Sequence, residues 1–145
     1  MNKPVINIKN LNVDYITDKN PINAVRDVTF EIFSGEIFGL VGESGSGKST
    51  VVQAMMRILP PPAIISKGEV IINNEDILAS SSLDVIGMRW KKISIVMQSA
   101  LNALNPVLSI REQIHDVLKT HKNLIGLDAD ERAKELLSLV EIDHD

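Results

Sequence analysis

Residues 42–49 read Gly42-Glu43-Ser44-Gly45-Ser46-Gly47-Lys48-Ser49 and match the pattern G-x-x-x-x-G-K-[ST] at each fixed position. Glycines let the backbone curl so that successive N–H groups point into one concavity, and a helix that begins nearby adds further unpaired N–H groups. Lys48 would bring a positive charge to the β- and γ-phosphates of a nucleotide, and the Ser49 hydroxyl would ligate Mg²⁺. The run therefore predicts a loop that binds a nucleoside triphosphate.

The segments on either side of this run fit a phosphate-binding loop. Residues 36–41 are almost continuously apolar, which is typical of a strand buried on both faces. Apolar residues then recur at helical spacing from Thr50 to Leu59, and three prolines follow at residues 60–62. A buried strand that enters the loop and a helix that leaves it are the context that the pattern requires.

The rest of the chain predicts four more strands and two more helices. The strands are predicted at residues 5–15, with a possible bulge at Asn10, and at residues 25–33, 68–72 and 93–97. Ser109 and Glu112 form a capping-box pattern that opens one helix, and the acidic run from Asp128 opens a second. This order predicts an α/β fold whose helices are concentrated towards the end of the chain.

Composition and charge exclude several functional classes. The 145 residues carry a net charge of −4, which argues against a nucleic-acid-binding protein because phosphate backbones are held by clustered Lys and Arg. The absence of cysteine excludes disulfides and thiolate metal sites, and no apolar run approaches the roughly 18 residues that span a bilayer. The three histidines lack a second ligand at metal spacing and are predicted to be solvated. We expect a chain that does not insert into a membrane and resides in the cytoplasm.

Residues 41–50 resemble the Walker A loop of the ATPase subunits of ABC transporters. Tyr15, just after the first alternating segment, is similar to the aromatic residue that stacks on adenine in that family. Gln98 matches the family's Q-loop glutamine, which reaches the region of Mg²⁺ and the γ-phosphate. The resemblance implies ATP and Mg²⁺ as ligands, with Lys48 and Gln98 as catalytic residues and Ser49 and Gln98 at the metal. It also implies nucleotide contacts from Tyr15, Gly42, Glu43, Ser44, Gly45, Ser46, Gly47, Lys48, Ser49 and Thr50.

A second segment resembles the oligopeptide and dipeptide importers within that family. Ala103-Leu104-Asn105-Pro106-Val107 is followed by Glu112-Gln113-Ile114, as in that subfamily. The chain departs from the pattern at Ser99-Ala100, where much of the subfamily has Asp-Pro, and at Asn74, where a hairpin glycine is usual. The resemblance implies a peripheral subunit on the cytoplasmic side of the cell membrane. Its implied partners are transmembrane permease subunits and a second nucleotide-binding subunit.

The resemblance places residues 1–145 in the N-terminal part of a P-loop NTPase domain of the ABC type. An antiparallel β-region, the phosphate loop and the core are expected in about residues 1–98. The Q-loop and the start of a helical subdomain are expected in about 99–145. The family's signature motif, Walker B carboxylates and switch histidine lie beyond Asp145, so the 145 residues are expected to bind ATP weakly and not to hydrolyse it at a useful rate. We also expect the apolar residues 37–41 to lack the strands that would flank them, which would leave apolar surface exposed or alter the packing.

Two other functions remain open at this point. A soluble regulatory module of the ABC type, without a transport role, would share the loop and the glutamine, but the Leu-Asn-Pro-Val segment favours the importer. An unrelated P-loop NTPase, such as a small kinase, would transfer phosphate to an acceptor. Such enzymes commonly open directly on the P-loop strand, so the β-rich lead ending at Tyr15 argues against this alternative.

Overall fold

A computed structural model describes residues 3–98 and 104–143. The chain divides into two compact units, residues 1–93 and 94–145. Ser99, Ala100 and Ala103, which bear on the resemblance above, and His144 lie outside the described residues. None of the helices in the described ranges is long and apolar enough to cross a membrane.

The first unit is built on a four-stranded antiparallel sheet. Its strands are β1 (Ile6–Tyr15), β2 (Ile22–Ile32), β3 (Ala63–Ile72) and β4 (Glu75–Asp76), in the spatial order β2-β1-β3-β4. Strand β3 begins five residues earlier than the alternation of residues 68–72 predicts. Asn73 and Asn74 form the turn between β3 and β4, and both have positive φ angles, 49° and 66°.

The bulge predicted at Asn10 is confirmed, and it explains a glycine in β3. The pairing of β1 with β2 slips between Ile8 and Leu11, and Asn10 has a φ angle of 47°. Gly68 of β3 faces this bulge with a φ angle of 115°, and a Cβ atom there would lie 2.6 Å from the Cα of Leu11. Only glycine allows β3 to approach the bulge so closely.

Two helices pack their apolar faces on the sheet. They are α1 (Lys48–Met55) and α2 (Ser82–Met88), and α1 ends four residues before the predicted Leu59. Their buried side chains join those of the three long strands in one core cluster, whose fully buried members include Ile8, Leu11, Val13 and Val70. The core thus fixes the P-loop helix α1 against the sheet.

Two of the predicted strands are not strands in the structure. Residues 36–41 form no ladder, and Ile37 and Val41 are 101% and 94% exposed. Residues 93–97 are likewise irregular apart from a single bridge between Arg89 and Ile93. A strand requires a neighbour for its backbone hydrogen bonds, and apolar composition alone does not supply one. The expected exposure of residues 37–41 is confirmed, and the stacking of Phe38 on Phe30, with ring centroids 4.9 Å apart, anchors the segment to β2.

The second unit contains a helical hairpin of α3 (Ile110–Lys122) and α4 (Gly126–Leu139). The predicted capping box is present, because Ser109 and Glu112 each accept from the other's backbone N–H. Asn123, with a φ angle of 56°, ends α3 in the left-handed conformation, and Leu118 packs on Ala129 and Ala133 of α4. Helix α4 begins at Gly126 rather than at the predicted acidic cap, so Asp128 lies in its first turn.

Candidate phosphate-binding site

The loop at residues 42–47 rests directly on strand β2. Gly47 has a φ angle of 87°, precedes the first residue of α1, and lies so close to β2 that a Cβ atom would be 2.6 Å from the carbonyl oxygen of Ala24. Gly45 also has a positive φ angle, 81°, but a Cβ atom there would meet nothing within 4 Å. The loop therefore needs glycine at 45 for conformation, and at 47 for both conformation and space.

The Lys48 side chain folds back over the loop. Its Nζ atom donates to the carbonyl oxygens of Gly42 at 2.8 Å and Glu43 at 2.6 Å, and it lies 3.2 Å from the Ser46 hydroxyl. The Lys48 ammonium group thus joins Gly42, at the beginning of the loop, to Ser46, near its end. The geometry places a positive charge inside the curl of the backbone, as the pattern predicts.

The N-terminal end of α1 adds backbone donors to this charge. The amide of Val51 makes the first helical hydrogen bond, to the carbonyl of Gly47 at 2.9 Å. No side chain caps this end of α1, and its first turn contains no acidic residue. The amides of a helix's first turn have no partner within the helix and carry the positive end of its dipole. Because backbone donors and a cation converge at a first turn that contains no acidic residue, this end of α1 fits an anionic group such as a polyphosphate.

The hydroxyl of Ser49, which the sequence predicts as a ligand of Mg²⁺, lies at this end of α1. Ser49 is exposed in the first turn of α1. Within residues 3–98 and 104–143, no group of three His, Cys, Asp or Glu side chains could hold a metal ion by itself. Mg²⁺ usually keeps several waters and takes its remaining oxygens from substrate phosphates. The residues present therefore fit Mg²⁺ that arrives with a nucleotide, with Ser49 as a protein ligand.

Tyr15 lies on the strand pair that supports the loop. It is half-buried at the end of β1, and its backbone pairs with Ile22 of β2 and with Ala63 of β3. Ala24, two residues along β2 from Ile22, is the residue whose carbonyl oxygen a Cβ atom at Gly47 would meet. At about 3.3 Å per residue, Tyr15 therefore pairs with β2 about 7 Å from the point where β2 supports the loop.

Gln98 belongs to the second unit, is exposed, and follows an irregular segment rather than a strand. Its part in the site stays a prediction from the sequence.

The Asn-Pro segment of the second unit is held by a residue whose role the sequence did not reveal. The Gln113 side chain accepts from the amide of Asn105 at 2.9 Å and donates to the carbonyls of Asn105 at 3.1 Å and Leu108 at 3.0 Å. The turn it organises leaves Val107 87% exposed. A side-chain amide eight residues after Asn105 was the signal available in the sequence.

A second polar cluster joins α3 to α4. Arg111 donates two hydrogen bonds to Asp130, at 2.6 and 2.7 Å, and His115 Nε2 lies 2.9 Å from the same carboxylate. The prediction that the histidines are solvated is wrong for His115, whose side chain is only 23% exposed. Bonding to the Arg111 guanidinium is the main reason that the pKa of Asp130 is lowered to about 2. The cluster is therefore a tie between the two helices.

Comparison with known proteins decides the family. The model of the ABC transporter family matches residues 25–145. The chain belongs to the ABC transporter family. It is 37% identical over 139 residues to the dipeptide transport ATP-binding protein DppD of Bacillus subtilis, covering 95% of this chain and 42% of that protein. It is 34% identical over 138 residues to the oligopeptide transport ATP-binding protein OppD of Escherichia coli, covering 95% of this chain and 41% of that protein. This ABC transporter chain thus spans about two-fifths of the length of these curated relatives.

Solved structures confirm the predicted fold class. The dimeric structure of MJ0796, a bacterial ABC transporter cassette, is 28% identical and aligns with a TM-score of 0.81, covering 96% of this chain and 58% of that one. A post-hydrolysis form of the same cassette, bound to ADP and phosphate, aligns with a TM-score of 0.76 at 24% identity, which bears on the fold alone. The antiparallel sheet and the helices are accordingly those of part of a P-loop NTPase of the ABC type.

Proposed function

We propose that this chain is the nucleotide-binding front part of the ATP-binding subunit of an ABC importer of oligopeptides or dipeptides. The observation that carries the proposal is the loop of residues 42–47, curled around the Nζ atom of Lys48 at the uncapped N-terminal end of α1. Relatives named for dipeptide and oligopeptide transport favour an importer over a regulatory module without a transport role.

The residues of the loop have distinct parts in binding ATP and Mg²⁺. Lys48 exchanges its bonds to two neutral loop carbonyls for bonds to the β- and γ-phosphate oxygens, in which the donor and the acceptor are both charged. The backbone amides from Gly42 to Thr50 surround the phosphates, and Ser49 ligates Mg²⁺. When bound, the metal neutralises charge on the phosphates and acts as a Lewis acid. Tyr15 stacks on the base, and Gln98 reaches the metal and the γ-phosphate.

Hydrolysis and transport belong, in this proposal, to the whole protein rather than to these residues. Phosphoryl transfer depends on positioning and charge stabilisation, to which Lys48 and Gln98 contribute. Residues 1–98 supply the β-region, loop and core, and residues 99–145 supply the Q-loop and the start of the helical subdomain. The partners are transmembrane permease subunits and a second nucleotide-binding subunit at the cytoplasmic face of the cell membrane. The exposed loop that Gln113 organises, residues 104–108, faces the permease.

The first experiment measures binding of Mg²⁺–ADP and Mg²⁺–ATP to the chain by calorimetry. We expect weak binding by the wild type and a loss of about tenfold or more in Lys48→Ala, because a charged hydrogen-bond donor to the phosphates is removed. Lys91→Ala is the matched control, since it removes an equal charge at an exposed position outside the loop.

Competition identifies the part of the nucleotide that is recognised. Pyrophosphate should displace ADP, whereas adenosine at the same concentration should not. Equal affinity of Lys48→Ala and the wild type would contradict the proposal. We expect no ATP turnover from these 145 residues, and a turnover that Lys48→Ala abolishes would contradict that part of it.

A further inference from the structure

We propose that Arg89 is a positioning residue for the phosphate loop, because it holds the end of α1 opposite to the end that meets the nucleotide. The inference rests on the proposed nucleotide-binding function. Arg89 lies in the first unit, just after the last residue of α2, and is half-buried. It does not belong to the phosphate-binding pattern, and no motif or periodicity in the sequence indicates a role for it.

The guanidinium of Arg89 lies at the C-terminal end of α1. One nitrogen, Nη2, donates to the carbonyl oxygens of Met56 at 3.0 Å and Arg57 at 3.1 Å. Arg57 itself has a φ angle of 49°, so the chain leaves the helical conformation at this point. The last carbonyls of a helix have no partner within the helix, and a cation there also interacts favourably with the helix dipole.

Arg57 makes a reciprocal tie in the other direction. Its Nη1 atom donates to the carbonyl oxygens of Ile77 at 3.1 Å and Ser80 at 2.7 Å, in the segment between β4 and α2. The Arg89 side chain therefore joins the end of α2 to the end of α1, and the Arg57 side chain joins the end of α1 to the segment before α2. The four hydrogen bonds add direction to the contact that Val85 and Met88 of α2 make with α1 in the shared apolar core.

The length of α1 explains why its far end matters to the loop. The helix has eight residues, so it extends only about 12 Å and two turns. Helices of this length are not stable by themselves in water and depend on tertiary contacts. No side chain caps the N-terminal end of α1. The orientation of the first-turn amides, which must converge on the phosphates, is therefore set by the close approach of Gly47 to β2, by the core and by the ties at the C-terminal end.

The test compares two substitutions of Arg89 with a matched control, using Mg²⁺–ADP as the probe. Arg89→Gln removes the charge, and we expect an affinity about fivefold weaker than that of the wild type. Arg89→Lys keeps a cation able to reach the two carbonyls, and we expect it to recover affinity to within about twofold of the wild type. Lys91→Gln removes the same charge from an exposed neighbour and should bind as the wild type does.

Recovery of affinity in Arg89→Lys would show that Arg89→Gln weakens binding through the position of the loop rather than through a loss of folded protein. Thermal unfolding of each variant identifies a temperature at which all of them are folded, and the titrations are made at that temperature. Arg89→Gln binding as tightly as the wild type, or Arg89→Lys binding no better than Arg89→Gln, would overturn the proposal. If the wild type does not bind Mg²⁺–ADP, or if Lys48→Ala binds equally well, the proposed function fails instead.

A measurement on the wild type tests the same proposal without any variant of Arg89. Coupling between two sites is reciprocal, so nucleotide bound at one end of α1 must stabilise the other end if the two are linked. Amide hydrogen exchange at residues 55–58 should slow when Mg²⁺–ADP is added at saturation. Unchanged exchange at these residues, with slowed exchange in the loop, would overturn the role assigned to Arg89.

Discussion

Gly47 and Gly45 share a left-handed backbone but differ in their surroundings, and the pair separates conformational strain from steric exclusion. The φ angles are 87° and 81°, yet only at Gly47 would a Cβ atom meet another backbone, at 2.6 Å from the oxygen of Ala24. A non-glycine residue in this conformation costs about 1–2 kcal/mol at either position. At Gly47 the collision adds a cost of overpacking, about 1–3 kcal/mol.

We therefore predict that Gly47→Ala destabilises the chain more than Gly45→Ala does, by about 1–3 kcal/mol. Urea unfolding followed by the fluorescence of Trp90, the single tryptophan, measures both variants in the unit that contains the loop. Equal losses for the two variants would mean that β2 does not support the loop as described. The affinity for Mg²⁺–ADP should fall with Gly47→Ala as well, because the first-turn amides of α1 start at this residue.

At the same scale, the sequence predicted the loop but not its supports. The pattern from Gly42 to Ser49 is local, since backbone curl, positive charge and helix start all follow from neighbouring residues. The contact between Gly47 and Ala24 and the ties made by Arg57 and Arg89 join residues 20 to 33 positions apart. No spacing or periodicity reveals such pairs, because they depend on how strands and helices come together.

At the scale of elements, the sequence patterns predicted secondary structure correctly where the chain contains the hydrogen-bond partners that the segment needs. The bulged strand β1 lies between β2 and β3, and the capping box of α3 closes within four residues, so both predictions are confirmed. The apolar run at residues 36–41 predicts a buried strand, but the structure shows it irregular and exposed. Alternation and apolar content indicate which face would be buried, but they do not provide the strand that buries it.

The α3–α4 hairpin carries a predicted pH dependence. The pKa of Asp130 is lowered from 3.8 to about 2, first by its hydrogen bond to Arg111. A lowered pKa in the folded state means that the carboxylate stabilises the hairpin above about pH 4, and that this contribution is lost as the pH falls towards 2. Asp130→Asn should lower the urea midpoint, followed by helical circular dichroism, at pH 5 and bring it close to that of the wild type at pH 2.

The control for this prediction is Asp116→Asn, at an exposed position on α3. It should keep the wild-type decrease in the midpoint between pH 5 and pH 2. If Asp130→Asn loses as much stability over this interval as the wild type, the contact with Arg111 does not contribute to the acid sensitivity of the hairpin.

At the scale of the whole molecule, two isoleucines test whether residues 36–41 are truly uncovered. Ile8 is fully buried in the sheet, and Ile37 is fully exposed. Removal of a buried isoleucine side chain beyond Cβ typically costs about 2–5 kcal/mol, whereas a surface substitution changes stability by about 0.5 kcal/mol or less. Ile8→Ala should therefore destabilise strongly, and Ile37→Ala should leave the free energy of unfolding nearly unchanged. The same urea experiment at Trp90 serves for both, because both residues lie in the first unit.

A cost at Ile37 comparable to that at Ile8 would mean that residues 36–41 pack as a strand even in this chain, contrary to the exposure described. A negligible cost would establish that the sheet of β1 to β4 and the helix α1 hold the phosphate loop without a covered strand leading into it. The affinity of the chain for Mg²⁺–ADP then measures what the loop, its lysine and the helix contribute by themselves.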